Sequence, residues 1–364
     1  PHPYPYPAPM DREAGIEAYQ AMITAEAYQA KSASGARDHL HLYHSDQEAP
    51  VIQVTVDQVT DCAGGVKKYK LVATDGADLP VWTAGAHLDI IVAPEFLRQY
   101  SMCGNPADRS CYEIAVLIET EGRGGSKLMH QIFEQGRRVF VSKPINHFYL
   151  AASANLSLLF GGGIGVTPMI AFAHELDRAG REFKLMYSAS TLASAAFDGD
   201  FATQPWAAKT STHYSDQGSR LDIASVVPPY ALDIHIYVCG PDAYMTAILD
   251  HARAVGYPDA AMHAEFFAVP DMPDWVNLPF EIERSNGQRL TVSADQSASD
   301  ALIAAGIPVD VKCSDGLCGV CKCTVTSGEV EHRDFVLSAA QRETTIILCQ
   351  SRARQANGVL KLDI

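Results

Sequence analysis

The sequence lacks any uninterrupted apolar run of about 18 residues, the minimum for a membrane-spanning helix. It also lacks the charged start, apolar stretch and small-residue cleavage site of an export signal, which predicts a cytoplasmic protein. Positive charge is scarce: 28 Lys and Arg stand against 43 Asp and Glu, a net of −15. Nucleic acid and anionic membranes are therefore excluded as expected partners, whereas a basic protein surface is not. A disulfide framework is excluded in turn, because nine cysteines are an odd count in a chain with no export signal. No paired-carboxylate or Ser/His/Asp constellation for acid–base or nucleophilic work can be read either. What remains is a chain of 364 residues, 47% of them hydrophobic, too long for one core and expected to form two or three domains.

The chain changes character several times. Residues 1–48 are expected to be an extension: Pro1 to Pro9 alternates Pro with His, Tyr and Ala, favouring polyproline structure or disorder, and Asp11 to Lys31 carries helix formers. Residues 49–150 hold short β-type runs such as Val51–Val56, Tyr69–Ala73, His87–Val92, Tyr112–Ile118 and Arg138–Val141, which predict a small antiparallel barrel. Residues 151–268 alternate strands at Leu156–Phe160, Phe183–Tyr187 and Ile234–Val238 with helices at Met169–Arg178 and Asp242–Ala254, the pattern of a parallel sheet. Residues 269–279 read as a linker, and 280–364 as a compact tail of short strands and one helix.

Five of the nine cysteines lie in that tail. Cys313, Cys318, Cys321 and Cys349 give C-x4-C-x2-C and a distant fourth Cys, the spacing of plant-type 2Fe–2S sites. One loop wraps three thiolates around two irons and a separate strand brings the fourth. Ser314, Asp315, Gly316 and Gly319 keep the loop small, so that backbone amides approach the sulfurs. Zinc is the alternative, but zinc sites favour two close pairs over three plus one. Cys323 is expected to point away from the site.

A second signal is the run from Leu156–Phe160 into Gly161-Gly-Gly-Ile-Gly-Val-Thr-Pro168 and an apolar helix. Strand, glycine loop and helix suit a dinucleotide pyrophosphate, with Thr167 as N-cap, Pro168 at the first helical position and Gly180 past the end. The spacing is not G-x-G-x-x-G, so on these residues alone a plain strand-to-helix turn remains the alternative. Arg98-Gln-Tyr-Ser101 follows a predicted barrel strand, and Gly122-Arg-Gly-Gly-Ser126 opens a predicted helix. Both supply cations and exposed donors suited to a phosphate and a flavin edge.

With those stretches in that order, residues from about 50 to 364 resemble the phthalate dioxygenase reductase family, which includes vanillate demethylase reductases; Tyr237-Val-Cys-Gly-Pro241 matches as well. The resemblance implies an antiparallel barrel binding FMN rather than FAD, an α/β domain binding NADH, and a β-grasp ferredoxin passing electrons to a Rieske-type oxygenase. The absence of an aromatic-rich insertion to hold an adenine agrees with FMN. By the same resemblance Arg98, Tyr100, Ser101, Gly122, Arg123, Gly124, Gly125 and Ser126 hold the flavin and Phe267 covers it. Gly162, Gly163, Thr167, Cys239, Gly240 and Pro241 meet the nicotinamide nucleotide, with Ser101 and Cys239 in the hydride-transfer region. Two features depart from the family: the extension of about 48 residues, and Tyr187-Ser-Ala-Ser190, where relatives often carry an Arg. Without that cation a 2′-phosphate has no clamp, yet no acidic residue stands there for a ribose diol.

The cofactor order follows from electron counting. Nicotinamide gives two electrons as hydride and an iron–sulfur cluster takes one, so a flavin must stand between them. Two rival readings remain: a reductase serving a haem monooxygenase or another acceptor, and a ferredoxin-like carrier whose flavin half is inactive.

Overall fold

The computed structural model describes residues 51–93, 96–120, 124–152, 154–231, 233–268, 275–311, 314–337 and 339–364. The proline-rich start and the helix expected over Asp11 to Lys31 lie outside these residues. Among the described residues no helix is long and apolar enough to cross a membrane. The chain divides into two compact units that meet at Glu265 and Phe266.

In the first unit, alternation of apolar and polar residues builds an antiparallel sheet from β1 (Val51–Cys62), β2 (Val66–Ala73), β3 (Ala86–Ala93), β4 (Phe96–Ser101), β5 (Tyr112–Leu117), β6 (Arg138–Ser142) and the short β7 (Ile145–Asn146). The strand order is β4-β3-β6-β1-β2-β5, with β7 on β3. A bridge from Met102 to Ile114 brings the end of β4 back to β5 and closes the barrel. Val54, Val56, Tyr69, Leu71, Leu88, Ile90 and Ile114 are fully buried inside it. Helix α1 (Gly125–Ile132) buries Leu128, Met129 and Ile132 on one face. The Arg98 to Ser101 stretch does not follow a strand, as expected, but is itself the end of β4.

The same unit continues into a parallel sheet of β8 (Leu156–Gly162), β9 (Glu182–Ala189), β10 (Thr210–Tyr214), β11 (Ile234–Cys239) and β12 (Met262–Glu265), ordered β10-β9-β8-β11-β12. Its central strands are apolar on both faces, as helices α2 (Thr167–Arg178) and α3 (Asp242–Ala254) require. Barrel and parallel sheet share one core: the Phe172 ring packs 5.1 Å from both Phe148, just after the barrel strands, and Tyr237. Lys68 on β2 pairs with Asp200 at 2.5 Å across the same junction.

The second unit holds β13 (Phe280–Arg284), β14 (Arg289–Val292), α4 (Ala298–Ala304), β15 (Lys322–Ser327), β16 (Val330–Glu331), β17 (Thr345–Ile347), β18 (Arg352–Ala353) and β19 (Val359–Leu362). Its mixed sheet is ordered β14-β13-β19-β15-β17, with β13 and β19 parallel, and β16 pairs β18 apart from it. Helix α4 starts at a reciprocal cap between Ser297 and Asp300 and buries Ala298, Ala301 and Leu302. Two buried arginines tie the approach to β13 onto this core. Arg352 donates to the carbonyls of Leu278, Ser293 and Gln296 at 2.8–3.0 Å, its guanidinium 5.1 Å from the Phe280 ring. Arg333 donates to Asn277 Oδ1 at 2.6 Å and to Val276 O at 3.0 Å, pairs with Glu331, and lies 5.1 Å from Trp275.

Candidate cofactor sites

The barrel end of the first unit forms a cradle from two segments distant in sequence. Gly124 takes a left-handed φ of 85° and leads into α1, whose first-turn amides have no carboxylate among them. Arg98 lies directly over that turn: a Cβ on Gly125 would stand 2.3 Å from the Arg98 Nε. Only glycine allows this approach, which sets a guanidinium and a helix N-terminus side by side, a pairing suited to a phosphate. Ser126 Oγ accepts from the Glu119 amide at 3.1 Å, which fixes the turn. Burial pushes the Tyr100 phenol upward, with Arg98 opposing. Gly122 and Arg123 lie outside the described residues.

At the parallel sheet, the glycine loop backs onto the turn after β11. A Cβ on Gly165 would come 2.4 Å from the Cys239 carbonyl oxygen, and one on Gly162 would come 2.9 Å from Pro241 and Tyr244. The predicted set of Gly162, Gly163, Thr167, Cys239, Gly240 and Pro241 is thus gathered at the carboxyl ends of β8 and β11, where open parallel sheets bind ligands. Thr167 is not the N-cap that the sequence suggested. Gly163–Val166 already winds as a 3₁₀ turn, so Thr167 is helical at φ −56° and its hydroxyl donates back to Ile164 O at 3.0 Å.

Between cradle and loop stands a residue the sequence reading missed. Ser101 Oγ donates to Glu265 Oε2 at 3.0 Å, and Glu265 pairs in register with Cys239. Burial pushes the Glu265 carboxyl up to about 7, against the bond from Ser101, and pushes the Cys239 thiol well above its ordinary value. An acidic residue distant in sequence, Asp216, is also brought to the end of β9: its backbone amide donates to Ser190 O at 3.1 Å. Phe267 belongs to the second unit and is 44% exposed.

In the second unit Cys318, Cys321 and Cys349 are all buried, and Cys313 lies outside the described residues. Ser314, Gly316 and Gly319 take left-handed φ of 58°, 75° and 68°. The loop's carbonyls are held by the surrounding chain: Ser314 O accepts from Gln350 Nε2 at 2.7 Å, Gly316 O from the Phe335 amide at 3.1 Å, and Cys321 O from the Leu348 amide at 3.1 Å. A loop of small residues in left-handed turns, held at its carbonyls and carrying buried thiols, fits a 2Fe–2S cluster. Cys323 is on β15, its Sγ 3.6 Å from Thr324 O and its thiol pushed up to about 11 by burial.

Residues 281–354 match the model of the 2Fe-2S iron-sulfur cluster binding domain. The vanillate O-demethylase oxidoreductase of Pseudomonas sp. is 38% identical over 318 residues, 86% of this chain and 100% of the relative. The phthalate dioxygenase reductase of Burkholderia cepacia is 33% identical over 87% of this chain and 99% of its own length. This chain belongs to their family of oxygenase reductases. It is therefore an oxidoreductase, and the solved structures agree. The crystal structure of a phthalate dioxygenase reductase, described as a modular structure for electron transfer from pyridine nucleotides to 2Fe–2S, matches with a TM-score of 0.63 at 32% identity, covering 86% of this chain and 98% of that one. An intact type IV self-sufficient cytochrome P450 monooxygenase matches with a TM-score of 0.78 at 32% identity, over 86% of this chain but only 41% of the larger enzyme.

Proposed function

We propose that this oxygenase reductase oxidises NADH on the first unit, with FMN as the intermediate carrier, and passes electrons singly through a 2Fe–2S cluster held by Cys313, Cys318, Cys321 and Cys349 to a Rieske-type oxygenase. The observation that carries the reading is convergence. Ser101 beside the Arg98 cradle, Glu265 and Cys239 at the sheet ends, and the glycine loop all meet on one side of the first unit. Arg98 and the amides of α1, with Gly122 and Arg123, hold the flavin phosphate. Gly162 and Gly240 let the glycine loop close on the turn that carries Pro241, and Gly163 leaves open space for the dinucleotide. Flavin supplies the two-electron to one-electron conversion when bound. Ser190 offers a 2′-phosphate no charge-assisted bond, and Asp216 beside it suits a ribose diol, so NADH is favoured over NADPH. In domain terms, 49–150 binds flavin, 151–268 binds NADH, 269–279 links, and 280–364 carries the cluster.

A second reading, that the acceptor is a haem monooxygenase, is favoured by the structural match to 41% of the self-sufficient cytochrome P450 monooxygenase. Purified Rieske and haem oxygenases, each supplied with the reductase and NADH, separate the two: product should form with the Rieske partner, and product with the haem partner alone would overturn the first reading.

A further inference from the structure

Oxidation of one NADH with both electrons leaving singly obeys NADH → NAD⁺ + 2e⁻ + H⁺, so each turnover frees one proton at the hydride-transfer site. The Ser101–Glu265 pair is largely enclosed there, and burial keeps the neighbouring Cys239 thiol protonated, which leaves the carboxyl to take the proton. A route outward exists on the barrel. Strands β3 and β4 pair so that His87 stands directly opposite Ser101 and Asp89 opposite Gln99. These four polar side chains therefore share one face, while Leu88 and Ile90 turn into the core. His87 is 8% exposed and Asp89 is 1% exposed. Gln99 Nε2 lies 2.8 Å from His87 Nε2 and donates to Asp89 Oδ1 at 3.1 Å; Ser142 Oγ accepts from the Asp89 amide at 2.9 Å. Such a row is costly to bury unless it is used or fully bonded.

We propose that His87 is a positioning residue for proton release: it takes the proton that collects on the Ser101–Glu265 pair and hands it to solvent by way of His147. The claim rests on the NADH-oxidising reading above. Side chains directly opposite in an antiparallel pair have Cβ atoms about 5 Å apart, a separation that one water molecule would span between Ser101 Oγ and the imidazole. In the step, the Glu265 carboxyl gives its proton to Ser101 Oγ, and the serine proton passes to His87. The ring then carries a positive charge next to Asp89, whose Oδ1 is 3.9 Å from Nε2, and the Gln99 amide turns so that its oxygen rather than its NH2 meets the Nε2 proton. His147 completes the path: its ring lies 5.9 Å from that of His87 and it is exposed. Titratable groups near His87 include Asp89 on its own strand, Glu265 across Ser101, and His147 after β7.

The full-length, cofactor-loaded protein tests this. His87→Gln keeps a hydrogen-bonding side chain but cannot carry the proton. It should retain flavin and the NADH KM, lower kcat for cytochrome c reduction about ten- to hundredfold, and displace the pH profile. His87→Ala should regain rate when free imidazole is added, a rescue that a packing role does not give. A second readout needs no turnover: in the oxidised protein without NADH, the NMR titration of His87 should shift when Glu265→Gln is introduced. An unchanged pH profile in folded His87→Gln, no imidazole rescue, or a His87 titration indifferent to Glu265→Gln would each overturn the relay. A wild-type chain that does not couple NADH oxidation to cytochrome c reduction would instead overturn the function, and the NMR coupling would still stand or fall alone.

Discussion

The two units solve the problem of holding a cofactor in opposite ways. In the first, the groups proposed to hold flavin and nucleotide sit at the ends of regular elements, β4, β8, β11, β12 and the start of α1, and a shared core of buried residues fixes where those ends point. In the second, the proposed ligands Cys318 and Cys321 lie on a single loop, and the loop is held by side chains and amides outside it: Gln350, Phe335 and Leu348. Sites on regular elements inherit their geometry from packing, so glycine at a close approach is the sensitive position. A site on a loop depends on its ligands and on the polar groups that brace it.

The sharpest way to test that contrast is to remove a ligand from the loop. Cys318→Ser should abolish cytochrome c reduction through the cluster, a loss of more than about a hundredfold, while NADH-dependent flavin reduction stays near wild type, because the two sites belong to different units. Loss of both together would show that the units do not fold independently. The counterpart in the first unit is Gly125→Val, which places carbon atoms where the Arg98 guanidinium lies. Bound flavin should fall at least about tenfold with the cluster intact, as measured by the ratio of flavin to iron. Heat release and chromatography of the wild-type flavin should give FMN.

Bracing is tested next. Arg352→Met keeps the bulk near Phe280 but strips the donors from three carbonyls, and should destabilise the second unit by about 2–4 kcal/mol, seen as a lower melting temperature of cluster absorbance. The first unit should melt unchanged. A smaller effect belongs to the nucleotide: kcat/KM should favour NADH over NADPH, and Asp216→Ala should raise the KM for NADH about tenfold with little change for NADPH. Equal kcat/KM for the two nucleotides in the wild type would remove the argument from Ser190.

The contrast also explains what the sequence made legible. The cysteine spacing and the alternating strands are local patterns, and the cluster loop and barrel strands could be read from them. The mixed ferredoxin sheet came only from the resemblance. Glu265 carries no local signal among 43 acidic residues; only the alignment of β12 with β11 places it beside Cys239 and Ser101. The rule that parallel sheets bind at their carboxyl ends could have pointed to it. Arg333 and Arg352 were unreadable for a related reason, since a buried cation is recognised by carbonyls that tertiary structure delivers. Thr167 was misplaced because the glycine loop tightens into a 3₁₀ turn and uses up the capping position.

The last expected effect separates the units by pH. Burial holds the Glu265 carboxyl near 7, above its ordinary value of 4.5, so between those values the folded first unit keeps a proton that the unfolded chain has released. Stability must then fall as pH rises through about 4.5 to 7, because the state that binds more protons is favoured at low pH. Glu265→Gln is neutral throughout and should flatten that slope, by about 3 kcal/mol across the window, in denaturant titrations of the first unit followed by its own fluorescence. Thermal melts of the cluster should show no such change, since Glu265 lies outside the second unit. A slope that survives Glu265→Gln would mean that another group carries the linkage and that Glu265 is ionised in the folded chain, leaving Ser101 bonded to a carboxylate with no proton to pass on.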